Sequence, residues 1–185
     1  DVSDTGDQYD WDQKGKAALS VQGKGNVEIE LDGDNELKSG TQRAGLEKTS
    51  TGTLTLKDDK EAGSGSLTAE GGGWAAGIGG SDGKGTNNII ISGGTVTAEG
   101  GNYGAGIGGG YGGVGDHITI GGGAVTAEGG ENGAGIGGGY SGVGDHITIT
   151  GGKVTAEGGI SGAGIGGGYW GRGRNITVSG AAQVT

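Results

Sequence analysis

The eight residues GAGIGGGY occur three times in the chain, at 104–111, 133–140 and 162–169, at a constant interval of 29 residues. Fixed intervals of about 20 to 50 residues are typical of solenoids and propellers. The chain is therefore expected to consist of stacked copies of one unit. The same interval separates three columns of aliphatic residues: Ile78, Ile107, Ile136 and Ile165; Leu67, Val96, Val125 and Val154; Ile89, Ile118, Ile147 and Ile176.

Within each unit, apolar residues alternate with polar ones. In the segment ITI the isoleucines point to one side and the threonine to the other, and in VTAE the valine and alanine share a face. This period of two is typical of short, half-buried strands, and no segment has a helical period. Three short strands per unit, joined by glycine corners, predict an all-β chain, a right-handed parallel β-helix of about six coils of about 29 residues.

The pattern continues upstream in a degraded form. Leu19 and Leu46 take the place of the isoleucine in AGI, VEIEL (27–31) and TLTL (53–56) take the place of ITI, and NELKSG takes the place of VTAEGG. Residues 17–185 are therefore assigned to one β-helix domain, and the acidic residues 1–16 to an N-terminal cap. Because the chain begins without methionine and stops within a repeat, it is interpreted as a fragment of a longer protein.

Glycine accounts for 54 of the 185 residues, far above the usual share of about 7%. The absence of proline and of a G-X-Y period excludes collagen, and the regular aliphatic residues exclude a flexible linker. In GAGIGGG only the alanine and isoleucine are expected to enter the core. Gly106, Gly135 and Gly164 would then lie above one another in a bare outer strip.

Charge and composition exclude several classes of partner and site. A net charge of −10 argues against a nucleic-acid partner, whose phosphates require clustered Lys and Arg. No apolar run approaches the roughly 20 residues that span a bilayer, so membrane insertion is not expected. Cysteine is absent, which excludes disulfides and thiolate metal sites.

The aromatic residues also fall into columns. Tyr111, Tyr140 and Tyr169 are expected to form one ladder with Trp170 beside it, and Trp74 and Tyr103 to form a second column on the other side of the glycine strip. Exposed aromatic rings beside a flat strip suit the apolar faces of sugar rings. The alternative is that the tyrosines only cover corners and stiffen the stack.

A column of carboxylates runs through Glu70, Glu99, Glu128 and Glu157. Like charges opposite one another on neighbouring strands destabilise a sheet. Outward splaying into water, raised pKa values or bound calcium would relieve the repulsion, and the third option makes Glu99 and Glu128 candidate calcium ligands.

A polar column runs through Asn88, His117, His146 and Asn175, beside Asn87, Asp116, Asp145 and Arg174. Paired His and Asp side chains could hold a metal ion, and Asp with Arg could serve acid–base chemistry. We favour a hydrogen-bonded corner ladder closed by an Asp145–Arg174 pair, because adjacent residues of a strand point to opposite sides.

The segments LDGDNELKSG, AGLE, GTLTL, GSLTAEGGG and ISGGTVTAEGG resemble the β-helical carbohydrate-binding, adhesin-type domains of surface proteins from clostridia and related Gram-positive bacteria. The likeness covers about residues 15–185. It implies a module that binds plant-type polysaccharides, including acidic pectin chains, with the help of calcium. On this resemblance Asp32, Asp34 and Asp58 are the calcium ligands.

Together these observations predict a secreted or cell-surface, carbohydrate-binding or adhesin module that is not an enzyme and is monomeric within a longer chain. Its ligand would be a polysaccharide or cell-surface glycan bound along the glycine and aromatic strip. A purely structural stalk is the alternative. A polysaccharide lyase-like enzyme ranks third, because Lys153, Arg172 and Arg174, the basic residues of the regular coils, are scattered.

Overall fold

The computed structural model describes Val2–Ser3, residues 15–59 and residues 64–185, which form nineteen strands and no helix. Residues 1 and 4–14 of the expected N-terminal cap lie outside this described part. No helix of the described residues is long and apolar enough to cross a membrane. The strands are β1 Val2–Ser3, β2 Leu19–Val21, β3 Val27–Glu30, β4 Asp34–Lys38, β5 Leu46–Lys48, β6 Leu54–Lys57, β7 Ser66–Glu70, β8 Ile78–Gly79, β9 Thr86–Ile91, β10 Thr95–Glu99, β11 Ile107–Gly108, β12 Gly115–Ile120, β13 Ala124–Glu128, β14 Ile136–Gly137, β15 Gly144–Ile149, β16 Lys153–Glu157, β17 Ile165–Gly166, β18 Ile176–Val178 and β19 Gln183–Val184.

The strands form three parallel sheets, and each full coil contributes one strand to every sheet. Sheet A is β1-β4-β7-β10-β13-β16-β19, sheet B is β2-β5-β8-β11-β14-β17, and sheet C is β3-β6-β9-β12-β15-β18. Every strand pairs with its counterpart one coil away. This confirms the parallel β-helix with three strands per coil and about six coils.

The register follows the repeat interval in the regular coils and the substitutions predicted upstream. Ile107 pairs with Ile78 and Ile136, and Leu46 pairs with Leu19 and Ile78. The segment NELKSG lies beside the strand of VTAEGG type in the next coil, as expected. Val2–Ser3, assigned to the cap, pairs with Leu37 and Lys38 and so extends sheet A by one strand.

The core is a stack of aliphatic side chains that point inward from all three sheets. Ile107, Ile118 and Val96 are fully buried. Burial decreases in the last coil, where Ile165 is only partly buried and Ile176 is exposed. Removing these side chains from water supplies the main favourable term for a chain whose glycines lose so much backbone freedom on folding.

The glycine segments do not form the bare outer strip that the sequence predicted. Residues 104–110 and 133–139 are buried throughout. A β-carbon at Gly133 would overlap the carbonyl oxygen of Gly104 in the preceding coil, and one at Gly104 would overlap that of Ala75. These glycines are therefore required because successive coils pack backbone against backbone.

The strands of sheet B are so short that the loops on their two sides meet. Ala105 N–H donates to the Gly109 carbonyl at 3.0 Å, which closes a tight turn around Ile107 and points this side chain into the core. The loop at 100–104 therefore lies close to the loop at 109–114. This arrangement positions the aromatic residues described next.

Candidate functional site

Backbone hydrogen bonds join the loop before a sheet B strand to the loop after the next one. Tyr111 N–H donates to the Trp74 carbonyl at 2.8 Å, and Tyr140 N–H donates to the Tyr103 carbonyl at the same distance. The two aromatic columns expected on opposite sides of a glycine strip are therefore adjacent. The prediction was wrong because the sheet B strand between the two columns is only two residues long and does not hold them apart.

The aromatic side chains form a single continuous group along the β-helix, which we call the aromatic ladder. Neighbouring ring centroids lie between 4.9 Å (Trp74 to Tyr103) and 6.2 Å (Tyr140 to Trp170) apart. Tyr103 packs edge-on against both Tyr111 and Tyr140. The ladder consists of Trp74, Tyr103, Tyr111, Tyr140, Tyr169 and Trp170.

The ladder presents different surfaces along its length. Tyr111 and Tyr140 are half-buried and stacked at 5.1 Å with an interplanar angle of 6°, so each covers one face of the other. At the end of the ladder Trp170 is 76% exposed and stacks on Tyr169 at 5.1 Å. The inner ladder can therefore offer ring edges and hydroxyl groups, and Trp170 can offer an indole face.

Trp170 has an unusual backbone conformation for a large side chain. Its φ is +60°, in the left-handed region, and the same column contains Gly83 (+67°), Gly112 (+66°) and Ser141 (+55°). A bulky residue in this conformation is strained, and such strain occurs preferentially at functional sites. The sequence carries a signal for this position, since glycine occupies it in two preceding coils.

The glutamate column is in register on sheet A, as expected. Glu99 pairs with Glu70 and Glu128 on the neighbouring strands. Burial raises the pKa of Glu99, the charges of Glu70 and Glu128 raise it further, and Lys38 opposes them. One of the predicted remedies, a raised pKa, therefore operates at Glu99.

The column ends on a cation that the sequence analysis missed. Lys38 pairs with Glu70 in the strand register, and its Nζ forms a salt bridge with the Glu70 carboxylate. This contact raises the pKa of Lys38. The signal was present, because Lys38 occupies the glutamate position when NELKSG is aligned with VTAEGG.

Two of the three aspartates that the resemblance marks as calcium ligands are engaged in separate contacts. Asp34 Oδ1 accepts a hydrogen bond from Ser66 Oγ at 2.8 Å, and Asp58 Oδ2 accepts one from Gly65 N–H at 2.9 Å. Within the described residues, Asp32, Asp34 and Asp58 do not bring three ligand atoms close together. Asp116, His117 and His146 do so, with their ligand atoms all within 4.8 Å of one another.

The histidines lie beside the aspartates, contrary to the alternation that the sequence analysis assumed. His117 has a φ of +49° and His146 of +46°, and this left-handed residue interrupts the pleat in each strand. In β12 both Asp116 and His117 face outward, while Ile118 points into the core. The premise that these neighbours point to opposite sides is therefore wrong.

The predicted closure of this polar column is confirmed. Arg174 Nη2 lies 2.9 Å from Asp145 Oδ2, and Asn175 Nδ2 donates to Asp145 Oδ1 at 2.8 Å. The hydrogen bond from Asn175 is the main cause of the lowered pKa of Asp145, with Arg174 adding to it. Asp145 is therefore held as a carboxylate at the end of the column.

A buried lysine is a further residue that the sequence analysis missed. Lys48 is 1% exposed, and its Nζ donates to the Ser50 carbonyl at 2.9 Å. Burial lowers its pKa. No periodic pattern marks it, because the upstream coils depart from the regular repeat.

The comparisons with known proteins bear on the fold. A family model described as beta helix repeat matches residues 63–82, 89–111, 118–140 and 147–169. A search of curated proteins found no match, and neither did a search of solved structures. Four successive units of the chain are therefore beta helix repeats, and the chain is a parallel β-helix with three sheets.

Proposed function

We propose that this β-helix is a carbohydrate-binding or adhesin module that binds a polysaccharide along the aromatic ladder. The observation that carries the proposal is Trp170, a large apolar side chain at a strained backbone position, in a column whose members Gly112 and Ser141 are exposed in the inner coils as well. Neither burial nor backbone preference accounts for a tryptophan there. A ligand that stacks on its indole face does.

The rest of the ladder complements a sugar chain in a second way. The tyrosine rings are half-buried, and their hydroxyl groups can donate to and accept from sugar hydroxyls. Because the rings already pack against one another, little side-chain freedom is lost when a ligand binds. A polymer lying along the coils would contact several rings at once.

Charge favours a neutral polysaccharide over an acidic one. The chain carries a net charge of −10, so a polyuronate would be repelled unless a cation bridged the two. Calcium between carboxylates is one such bridge, and Glu99 and Glu128, neighbours on sheet A, are the carboxylates that we assign to it. Neutral glycans need no such cation.

The proposal places the module outside the cell, where polysaccharides are accessible, as a monomeric and non-enzymatic part of a longer protein. Arg174, one of the three basic residues considered for a lyase, is paired with Asp145. This pairing supports a role for Arg174 in closing the polar column, and it argues against a role as a catalytic base.

The test is a glycan array followed by affinity electrophoresis with neutral polysaccharides and with polygalacturonate, each with calcium and with EDTA. The matched variant is Trp170→Gly, which restores the residue found at the same position in two preceding coils. We expect at least about tenfold weaker binding to the glycan that the parent selects, since an exposed aromatic anchor is removed. Glu157→Gln, which removes one exposed carboxylate, serves as the surface control and should bind like the parent.

Two outcomes would overturn the proposal. One is a parent chain that binds no polysaccharide on the array in either calcium or EDTA. The other is equal binding by the parent and Trp170→Gly. Binding of polygalacturonate alone, and only with calcium, would support a carbohydrate-binding module but show that its ligand is an acidic polysaccharide and not a neutral one.

A structural stalk is the second candidate, and the mutual packing of the inner rings favours it. Tyr111 and Tyr140 stack face to face and are half-buried, which stiffens adjacent coils without any ligand. This role predicts a loss of stability when the inner rings are truncated. It does not account for the exposure of Trp170.

A further inference from the structure

The geometry points to a binding site for a divalent transition-metal ion, with zinc as its best match, formed by Asp116, His117 and His146. We infer it from the outer surface of strands β12 and β15 on sheet C, where these three side chains converge. It shares no residue with the aromatic ladder. The inference therefore stands whether or not the chain binds carbohydrate.

The distances between ligand atoms are close to those of a coordinated ion. Asp116 Oδ1 lies 2.8 Å from His117 Nδ1 and 3.1 Å from His146 Nδ1. Ligand atoms about 2.0–2.1 Å from a tetrahedral zinc ion are separated by about 3.3 Å. Rotation of one imidazole out of its stack with the other would therefore admit the ion between the carboxylate and the two ring nitrogens.

The backbone positions both imidazoles for this purpose. His117 and His146 have φ values of +49° and +46°, and Asn88 and Asn175 occupy the same column with +52° and +49°. Asparagine and histidine are among the residue types enriched in this left-handed region. The two central coils thus carry a histidine where the flanking coils carry an asparagine. The two imidazole rings are stacked, with their centroids 4.5 Å apart.

The two rings direct their Nδ1 atoms to the same carboxylate oxygen. A neutral imidazole can carry its single proton on Nε2, which leaves the Nδ1 lone pair for the metal. The metal then occupies the place of any Nδ1 proton between the rings and the carboxylate, and each neutral imidazole keeps its single proton on Nε2. Three protein ligands leave one position for water or a ligand oxygen, the arrangement found in open zinc sites.

The neighbouring side chains support the site from one end. Asp145 Oδ1 lies 3.2 Å from His146 Nδ1, but Asp145 is already bound by Arg174 and Asn175. Asp145 can therefore orient the His146 ring and attract a cation to the site without being a ligand itself. The net charge of −10 also favours a cation at the surface.

The test is zinc binding by the metal-free chain, prepared without a histidine tag and followed by isothermal titration calorimetry. The variant is His117→Asn/His146→Asn, which installs the residue that the flanking coils carry at the same backbone position. A third change, Asp116→Asn, reproduces the Asn87–Asn88 pair of the preceding coil. Far-UV circular dichroism checks that each variant keeps its fold.

We expect one zinc ion per chain, at least about tenfold weaker binding in the double variant, and none in the triple variant. Zinc should also raise the melting temperature of the parent and shift the histidine ring signals in its NMR spectrum. Glu36→Gln removes an exposed carboxylate of β4 on sheet A, outside every proposed cation site, and should bind zinc like the parent. Equal affinity in the parent and the double variant, or no saturable binding by the parent, would overturn the inference.

Discussion

Tyr140 donates its backbone N–H to the carbonyl oxygen of Tyr103 at 2.8 Å, and their rings meet edge to face with centroids 5.7 Å apart. One bond and one ring contact thus tie the loop before a sheet B strand to the loop after the next. The ladder is therefore held in place by the backbone as well as by its own packing.

The first prediction concerns this central ring. Tyr140→Ala should lower the free energy of unfolding by about 2–3 kcal/mol, because a half-buried aromatic side chain and its ring contacts are lost. Chemical denaturation measures the change. Trp170→Gly, at the exposed end of the ladder, should cost less than about 1 kcal/mol, since glycine relieves the backbone strain and so offsets the lost stacking. Equal losses in the two variants would contradict the distinction between an inner ladder and an exposed anchor.

The second prediction concerns the glutamate column. The raised pKa of Glu99 means that the folded chain holds this proton to a higher pH than the unfolded chain, so this group's contribution to stability falls as the pH rises above the ordinary value of 4.5. Glu99→Gln should therefore stabilise the chain at pH 7, by no more than about 1 kcal/mol for a group near the surface. The gain should vanish below the ordinary pKa.

Thermal unfolding of the parent and Glu99→Gln across this pH range gives the result. The control is Glu36→Gln, an exposed carboxylate outside the column that lies near Lys38. A Glu99→Gln variant that is less stable than the parent at pH 7 would show that the column is not under repulsion.

The third prediction uses the buried Lys48. Because burial lowers its pKa, the folded chain loses this proton at a lower pH than the unfolded chain, and stability rises with pH between the two values. The parent should therefore gain stability relative to Lys48→Met as the pH approaches the ordinary value of 10.5. The slope cannot exceed about 1.4 kcal/mol per pH unit.

The measurement is urea denaturation of both chains at several pH values above neutrality. Lys153→Met, at an exposed lysine, is the matched control and should track the parent at each pH. A constant difference between the parent and Lys48→Met would rule out a shifted titration at this position.

The fourth prediction tests the packing of backbone against backbone. Gly133→Ala should destabilise the chain by more than about 3 kcal/mol, because its β-carbon would overlap the carbonyl of Gly104 and neither backbone can move alone. Gly121→Ala is the control, since its β-carbon would meet only atoms 3.9 Å or more away. It should be neutral or slightly stabilising, by up to about 1 kcal/mol. Equal melting temperatures for the two variants would contradict this account.

The fold could be predicted from the sequence because stacking converts a constant interval into a constant register. Ile107 and Leu46 are found where the interval and the upstream alignment predicted them. The role of the glycines could not be predicted in this way. Whether Gly104 faces solvent or another backbone depends on how closely the coils approach, and the repeat interval carries no information on that distance.

The candidate sites show the same limit. The residues of the aromatic ladder were identified, but their convergence depends on a two-residue strand whose length the alternation pattern did not reveal. The cluster at Asp116 and His117 was judged by the alternation rule for strands. A left-handed residue breaks that rule, and only the asparagines at the same column position hinted at one.

The coil-to-coil packing has a consequence for how such a chain can change. Because each coil presents the same backbone surface above and below, duplication of one 29-residue unit would insert a coil without disturbing its neighbours. Every column would gain one member in the same event: one core isoleucine, one glutamate and one position beside the aromatic ladder. Recombination between repeats could therefore adjust the length of a binding surface in whole steps, and with it the avidity for a polymeric partner.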